Sequence, residues 1–395
     1  MPERSRPAHV PLPEANMHSS NDSLATATRG TFQDLLHPSP TNVSARSSPC
    51  PILPSTYQFV LIPVLYCIIF ILGLVGNSIV IAVLCWQRNP KTVANVYLLN
   101  LAVADLLAMT TVPFWAVYYA YGYNWLFGSV MCKLSGSVLC LTMFASIFFI
   151  TCMSMNRYQA IVHPFQSQQG TLQQAFATVL VVWGLAALAS LPTFYFRDTK
   201  YIKELDVTAC IMAYPSEKYS DWSAGTALMK NTLGFLIPLA IIMACYIWIR
   251  VHLMKARGFR KSKQMRDHAL KLVAAVVVAF LICWLPFHVL TFLDALSWMS
   301  VISNCQVTFV LDAALPFGLS MGFTNSCINP LLYYFIGRQF RDKLQHLFKL
   351  SLYRFNSNRE IFCSSQTSSL KTTKSLVGAE QRGDTDRPQT PLWVP

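Results

Sequence analysis

Charge is scarce in this chain. Asp, Glu, Lys and Arg together make up 12% of its 395 residues, half of the ~25% typical of a soluble domain. With 53% apolar residues beside them, most of the chain cannot face water, and the solvent it needs is lipid. Other features are missing too. The first 58 residues hold no apolar run. That excludes a cleaved signal peptide and leaves the first apolar segment as the targeting element. No cysteine or histidine spacing reads as a zinc site. His163, His252, His268 and His288 form no triad with Ser and Asp that sequence can place, so nothing supports an enzyme. The net charge of +13 sits in short loops between apolar segments rather than in a stripe on a soluble fold, which excludes nucleic acid as a partner.

Long apolar runs are abundant. Seven of them, at 59–86, 93–121, 128–158, 172–191, 223–255, 268–298 and 307–335, are long enough to cross a bilayer core, which takes about 20 helical residues. Backbone groups cannot go unpaired in lipid, so each run must be a helix. The fold class is all-α, a seven-helix transmembrane bundle over residues 59–335. Arg88 and Lys91, Arg257 to Arg266, and Arg338 to Lys343 follow alternate helices. That bias makes those ends cytoplasmic and leaves the N-terminus extracellular in a multi-pass plasma-membrane protein.

The flanks agree with this orientation. Asn21-Asp-Ser and Asn42-Val-Ser are glycosylation sequons in a polar tail, 1–58, expected to be disordered outside the cell. Of 12 cysteines, Cys50, Cys132, Cys210 and Cys305 fall on the outer side, where disulfides persist; four allow about three pairings. Phe340, Leu344, Leu347 and Phe348 recur at helical spacing among basic residues, predicting an amphipathic helix over 338–349 on the inner leaflet. Beyond it, 350–395 reads as a disordered, phosphorylatable cytoplasmic tail.

Ionisable residues at membrane depth are costly and mark function. Asp105 has no neutralising neighbour in sequence and needs a proton, a cation or partners such as Ser146, Asn325 and Asn329. An oxygen-rich cation site and a satisfied hydrogen-bond network both meet that need. Lys230, inside the fifth run, either finds an anion or reaches the headgroups. Asp294 and Asp312 flank the outer loop between the sixth and seventh runs, as loop charges or as the acidic pole of a cavity whose basic pole is Lys230 with Arg197. Such a cavity can clamp an extended peptide with a cation toward one end and a carboxylate at the other. Tyr66, Trp115, Tyr118, Tyr119, Trp125, Phe287 and Phe323 crowd the same ends, as packing or as its wall. Pro286 and Pro330 each remove a helix hydrogen bond and permit a kink.

Gly76-Asn77, Leu101-Ala-Val-Ala-Asp105, Cys132, Asn156-Arg157-Tyr158, Trp183, Pro238, Tyr246, Cys283-Trp284-Leu285-Pro286 and Asn329-Pro330-Leu-Leu-Tyr333 occur in order across the seven runs. Together they resemble the rhodopsin-like G-protein-coupled receptors. Phe144 to Ser154, Ser190 to Asp198, Trp222 to Asn231 and Cys283 to Asp294 resemble the angiotensin receptors within that family. The resemblance implies a cell-surface receptor for an angiotensin-type peptide. Cys132 would bond Cys210, and Cys50 would bond Cys305. Arg197 and Lys230 would hold the peptide carboxylate, and Asp294 and Asp312 its N-terminal arginine. Tyr66, Trp115, Met143, Tyr219, Trp284, Phe287, His288 and Phe323 would surround it. Asp105, Ser146, Asn325 and Asn329 would form a site for sodium as an allosteric modulator, with no other cofactor. Asn156, Arg157, Tyr158, Tyr246, Trp284, Pro286, Asn329, Pro330 and Tyr333 would belong to the switch that moves helix 6 and opens an inner cleft to a G protein or other effector, with arrestin on the phosphorylated tail.

Two departures from the family's pattern matter. Asn156 stands where an acid usually restrains the following arginine, and Arg266 rather than an acid opens the sixth run. A less restrained inner face and raised basal activity are expected. Thr142 replaces the asparagine that angiotensin receptors carry beside the sodium site. Competing readings are a chemokine- or bradykinin-type receptor, which fits the four charges less well, and a transporter. The chain shows no internal repeat, and an odd number of spans argues against simple duplication.

Overall fold

The computed structural model describes residues 58–85, 92–164, 172–203, 205–255, 260–336, 340–347 and 349; side chains at 255, 260–270, 272–273, 305 and 336 are outside that description. The expected N-terminal tail with Asn21, Asn42 and Cys50, the side chain of Cys305, Phe348 and the tail from 350 onward all lie outside the described residues. The Cys50–Cys305 pairing and the sequons are therefore outside it too.

Seven helices of 25 to 39 residues are long and apolar enough to cross a membrane. They are α1 Gln58–Cys85, α2 Val93–Ala120, α3 Gly128–Val162 and α4 Leu172–Phe196, then α5, α6 Arg260–Trp298 and α7 Cys305–Ile336. α5 is built from Tyr219–Asn231, a π-helical turn Thr232–Leu236 and Ile237–Lys255. Between α4 and α5 the chain makes an antiparallel hairpin of β1 Arg197–Ile202 and β2 Val207–Met212. Residues 340–347 form a further helical segment, α8. Among the described residues the hairpin is the only sheet.

Apolar side chains face outward in numbers that water would not tolerate. Leu180 is 74% exposed, and Val60, Ile71, Leu188, Trp248, Ile282 and Phe335 are exposed around it. A water-soluble surface rarely carries such a continuous belt. It matches lipid, and the chain is a multi-pass membrane protein. Inside the bundle, hydrophobic contacts join α2, α3, α4, α5, α6 and α7 in one cluster, and α1, α2, α3 and α7 in a second near the hairpin.

Polar side chains stitch the helices where lipid offers no alternative partner. Asn77 of α1 donates to the carbonyls of Gly73 and Ser326, each at 2.9 Å, and so ties α1 to α7. Trp183 Nε1 of α4 donates to Asn100 Oδ1 of α2 at 3.1 Å. α6 and α7 run unbroken through Pro286 and Pro330. The π-helical turn falls just before Pro238, whose missing N–H cannot make the ordinary i→i−4 bond.

Most helix ends agree with the runs read from sequence. α6 starts earlier, at Arg260, because its first turns are polar and extend past the lipid. α8 carries Phe340, which is buried, with Leu344 and Leu347 packed on the same cluster, as the amphipathic spacing required. The hairpin was not expected: β1 holds the charged run Arg-Asp-Thr-Lys, which by pattern reads as loop.

Candidate ligand cavity and the polar site beneath it

A cavity of about 400 Å³ opens between the helices under the hairpin. α2 supplies Trp115, Tyr118 and Tyr119; α3 supplies Gly136, Leu139, Cys140 and Met143. β1 and β2 supply Arg197, Cys210, Ile211 and Met212, and Tyr214 follows them. α5 adds Tyr219, Thr226 and Lys230, α6 adds Trp284, Phe287, Thr291 and Asp294, and α7 adds Leu319 and Phe323. Arg197, Lys230, Asp294, Trp115, Tyr219, Met143, Trp284, Phe287 and Phe323, all expected from sequence, thus share one wall.

Three expected residues lie elsewhere. Tyr66 is fully buried one layer behind the wall, its ring edge-on to Phe323 at 5.4 Å and to Tyr119 at 5.8 Å. His288 is 2% exposed and sits between α5 and α6. Asp312 lies off the wall near Tyr123, whose phenol burial and the Asp312 carboxylate push up to about 12. Tyr123 in turn donates to Gln58 Oε1 at 3.3 Å, and Gln58 donates to the Ala313 carbonyl at 3.2 Å. Asp312 therefore stands at the rim, in a network joining the starts of α1 and α7.

Arg197 is the electrostatic centre of the cavity. Its guanidinium carbon lies 4.7 Å above the Trp115 ring, a cation–π contact. Its stem crosses Gly136, where a Cβ would fall 3.0 Å from Arg197 Cδ and Nε, so only glycine leaves the path open. Among the described residues its guanidinium makes one hydrogen bond, a long one of 3.5 Å to the Cys210 carbonyl, and its buried Nε has no partner. Burial pushes the guanidinium below its usual pKa, and Tyr118, Tyr119 and Tyr214 partly oppose that. Among the described residues the only ion pair within 4.0 Å is Lys133–Asp198, so neither Arg197 nor Lys230 has a carboxylate. A half-buried guanidinium that faces a cavity without an anion is a costly arrangement unless a ligand supplies one.

A polar clasp closes the floor between α5 and α6. Asn231 Nδ2 donates to Thr291 Oγ1 at 3.1 Å, and Asn231 Oδ1 meets His288 Nδ1 at 3.2 Å. Because the Asn231 amide nitrogen also donates to Ala227, its oxygen is the acceptor, and Nδ1 of His288 carries the proton. Trp284 lies against Gly322, where a Cβ would fall 2.8 Å from the ring. Any larger residue at 322 would push Trp284 into the cavity.

Below Trp284 is a second space of about 20 Å³, lined by Asp105, Thr142, Ser146, Asn325 and Ser326. Asp105 is 1% exposed and accepts from Ser326 at 2.8 Å, Ser146 at 3.5 Å and Asn329 at 2.9 Å. Asn325 does not bond Asp105; its buried Oδ1 has no partner. Ser326 was missed from sequence, although it lies one turn before Asn329. Thr291 was missed as well; Trp284, Phe287, Thr291 and Asp294 follow one α6 face at i, i+3, i+7 and i+10, which would have found it.

Asn156, Arg157 and Tyr158 lie at the other end of α3, where Arg157 faces α5. Arg157 lies close to Tyr246, with no carboxylate within 4.0 Å among the described residues. Tyr158 meets His163 Nε2 at 3.3 Å. The Tyr333 ring packs edge-on to Phe340 of α8 at 6.2 Å. Cys132 and Cys210 form a disulfide at the hairpin end of α3.

Comparison with known proteins follows this geometry. The family model described as 7 transmembrane receptor (rhodopsin family) matches residues 76–333. The type-2 angiotensin II receptor of Homo sapiens is 51% identical over 360 residues, covering 90% of this chain and 99% of that one. The type-2 receptor of Meriones unguiculatus is 54% identical over 328 residues, 83% of this chain and 90% of that one. The type-1 angiotensin II receptor of Sus scrofa is 41% identical over 294 residues, 74% of this chain and 82% of that one. A bundle of seven apolar helices, a tethered outer hairpin over a charged cavity and this extent of similarity together make the chain a member of the rhodopsin family of seven-transmembrane receptors.

Proposed function

We propose that this chain is a plasma-membrane receptor for angiotensin II or a closely related peptide. The observation that carries the reading is the cavity's charge. Arg197 and Lys230 open onto one wall without a carboxylate among the described residues, and Asp294 lines the same space. A carboxyl terminus fits the first pair, and a cationic side chain fits Asp294 with Asp312 at the rim. The aromatic wall of Trp115, Tyr118, Phe287 and Phe323 takes the apolar side chains between them. Tyr66 and His288 support that wall from behind.

The hairpin end lies outside the cell in this reading, since disulfides such as Cys132–Cys210 persist there. The two N-terminal sequons and the basic inner loops favour the same orientation. Peptide binding acts by population shift: the ligand binds more tightly to a state in which α6 has swung outward at its inner end. Trp284 at the cavity floor, with Pro286 two residues on, gives the ligand a contact through which to bias that element. The opened inner face, with Arg157, Tyr246 and Tyr333, would engage a G protein or other effector, and the phosphorylated tail arrestin.

The space around Asp105 fits a small hard cation such as sodium. Its oxygens come from Asp105, Ser146, Ser326 and the unpartnered Asn325 Oδ1, with the Thr142 hydroxyl on the same wall. Asn329 would hold the second carboxylate oxygen. Sodium there would neutralise Asp105 and brace α2, α3 and α7 against the swing.

The test is labelled angiotensin II on intact cells expressing the chain. Saturable binding that unlabelled peptide displaces is expected; surface expression with no displaceable binding would sink the assignment.

A further inference from the structure

Ser129, Lys133 and Gly136 stand at i, i+4 and i+7 on α3, one stripe facing the hairpin. Each touches β1. Ser129 Oγ donates to Asp198 Oδ1, and Lys133 Nζ lies 3.1 Å from Asp198 Oδ2. Gly136 accommodates the stem of Arg197. Both side chains bear on this one stripe of α3, so clamping Asp198 there fixes where its neighbour Arg197 aims.

The other strand has anchors of its own. Trp125 N donates to the Thr208 carbonyl at 2.7 Å, Thr208 N donates to Asn124 Oδ1 at 3.0 Å, and Cys210 is bonded to Cys132. These hold β2, whereas Asp198 joins β1 to α3. Its carboxylate is also capped by the Thr199 backbone N–H at 2.8 Å. Ser129, Thr199 and Lys133 all favour the charged form and hold it below the usual carboxylate range, so the clamp is closed at any physiological pH.

We propose that Asp198 is a positioning residue for the anion site: gripped by Ser129 and Lys133, it holds β1 so that Arg197 crosses Gly136 and presents its guanidinium to the ligand carboxylate. The proposal rests on the peptide reading above. Asp198 touches no ligand in this account and acts only through its neighbour. Its side chain is 40% exposed and the ion pair half in water, so the pair adds little to global stability. Its effect is on direction.

Competition binding on the full-length chain, with angiotensin II and its C-terminal amide as the two probes, reads this out. On the unmodified chain the acid binds more tightly than the amide. Asp198→Ala is expected to weaken the acid by about tenfold, a coupling ordinary for residues in contact. The amide should change by under about threefold, so the acid/amide ratio collapses while the number of surface sites holds. Asp198→Glu should recover part of the ratio. Lys133→Met, which leaves the strand sequence intact, should move it in the same direction, and it decides the matter if Asp198→Ala fails to reach the surface. A ratio unchanged in both variants, or equal losses for acid and amide, overturns the proposal and leaves the peptide reading standing. An unmodified chain that binds acid and amide alike removes the anion site itself, and this proposal with it.

Discussion

Replacing Arg197 by Gln is expected to weaken peptide binding by about 2–4 kcal/mol, or about 30- to 1,000-fold, since that is what removing one partner of a desolvated charge pair costs. Gln keeps a polar group of moderate length but neither the charge nor the fork that matches a carboxylate. It also gives up the contact with the Trp115 ring. Ligand-free stability should move the other way. The guanidinium Nε is buried without a partner and no carboxylate lies within 4.0 Å among the described residues. Removing a half-buried, uncompensated cation relieves part of a desolvation cost. The detergent-purified variant should therefore melt at the same temperature as the unmodified chain or above it, while its affinity falls. A lower melting temperature together with unchanged affinity would mean that Arg197 is a structural residue.

The second large effect is expected at Cys132. Its bond to Cys210 spans 78 residues and pins β2 to α3 at the cavity roof. Losing a native disulfide costs about 2–5 kcal/mol. Here the loss also frees the strand whose partner carries Arg197. Cys132→Ser should lower the melting temperature and remove high-affinity binding, Cys210→Ser should do the same, and the double variant should be no worse than either. Full affinity in Cys132→Ser would show that the Asp198 clamp and the Asn124 and Trp125 bonds suffice to seat the hairpin.

The bundle was legible because lipid leaves the backbone no choice. An apolar run of helix-spanning length has one solution, and basic residues mark its inner ends. Lys230 was legible for a related reason: it lies where charge is expensive and so demanded an explanation, whereas Asp294 at the loop was singled out only as its possible opposite pole. Asp105 was legible as well, as a buried carboxylate that needs partners. Three hydrogen bonds satisfy its oxygens, while Asn325 keeps an unpartnered oxygen beside it.

The hairpin was not legible. Arg197-Asp-Thr-Lys has the composition of a loop, and strand pairing there depends on a disulfide and on contacts to α3 and the α2–α3 turn, all distant in sequence. Depth within the wall was not legible either. His288 shares a helix face with lining residues, whereas α1, which carries Tyr66, adds nothing to the wall; neighbouring rings such as Tyr119, Phe323 and Phe287 stand between the two and the cavity. Which of several aromatics on one face is in front is a matter of packing, and spacing carries no information about it.

The central claim is that the positive pole of the cavity reads a peptide carboxylate. It is tested most directly by comparing Lys230→Gln with the unmodified chain, using angiotensin II as acid and as C-terminal amide. The substitution is expected to cost the acid about tenfold or more, in the range for a hydrogen bond to a charged group, and to cost the amide far less. Equal losses for acid and amide would contradict it, because Lys230 would then serve the fold or another part of the peptide.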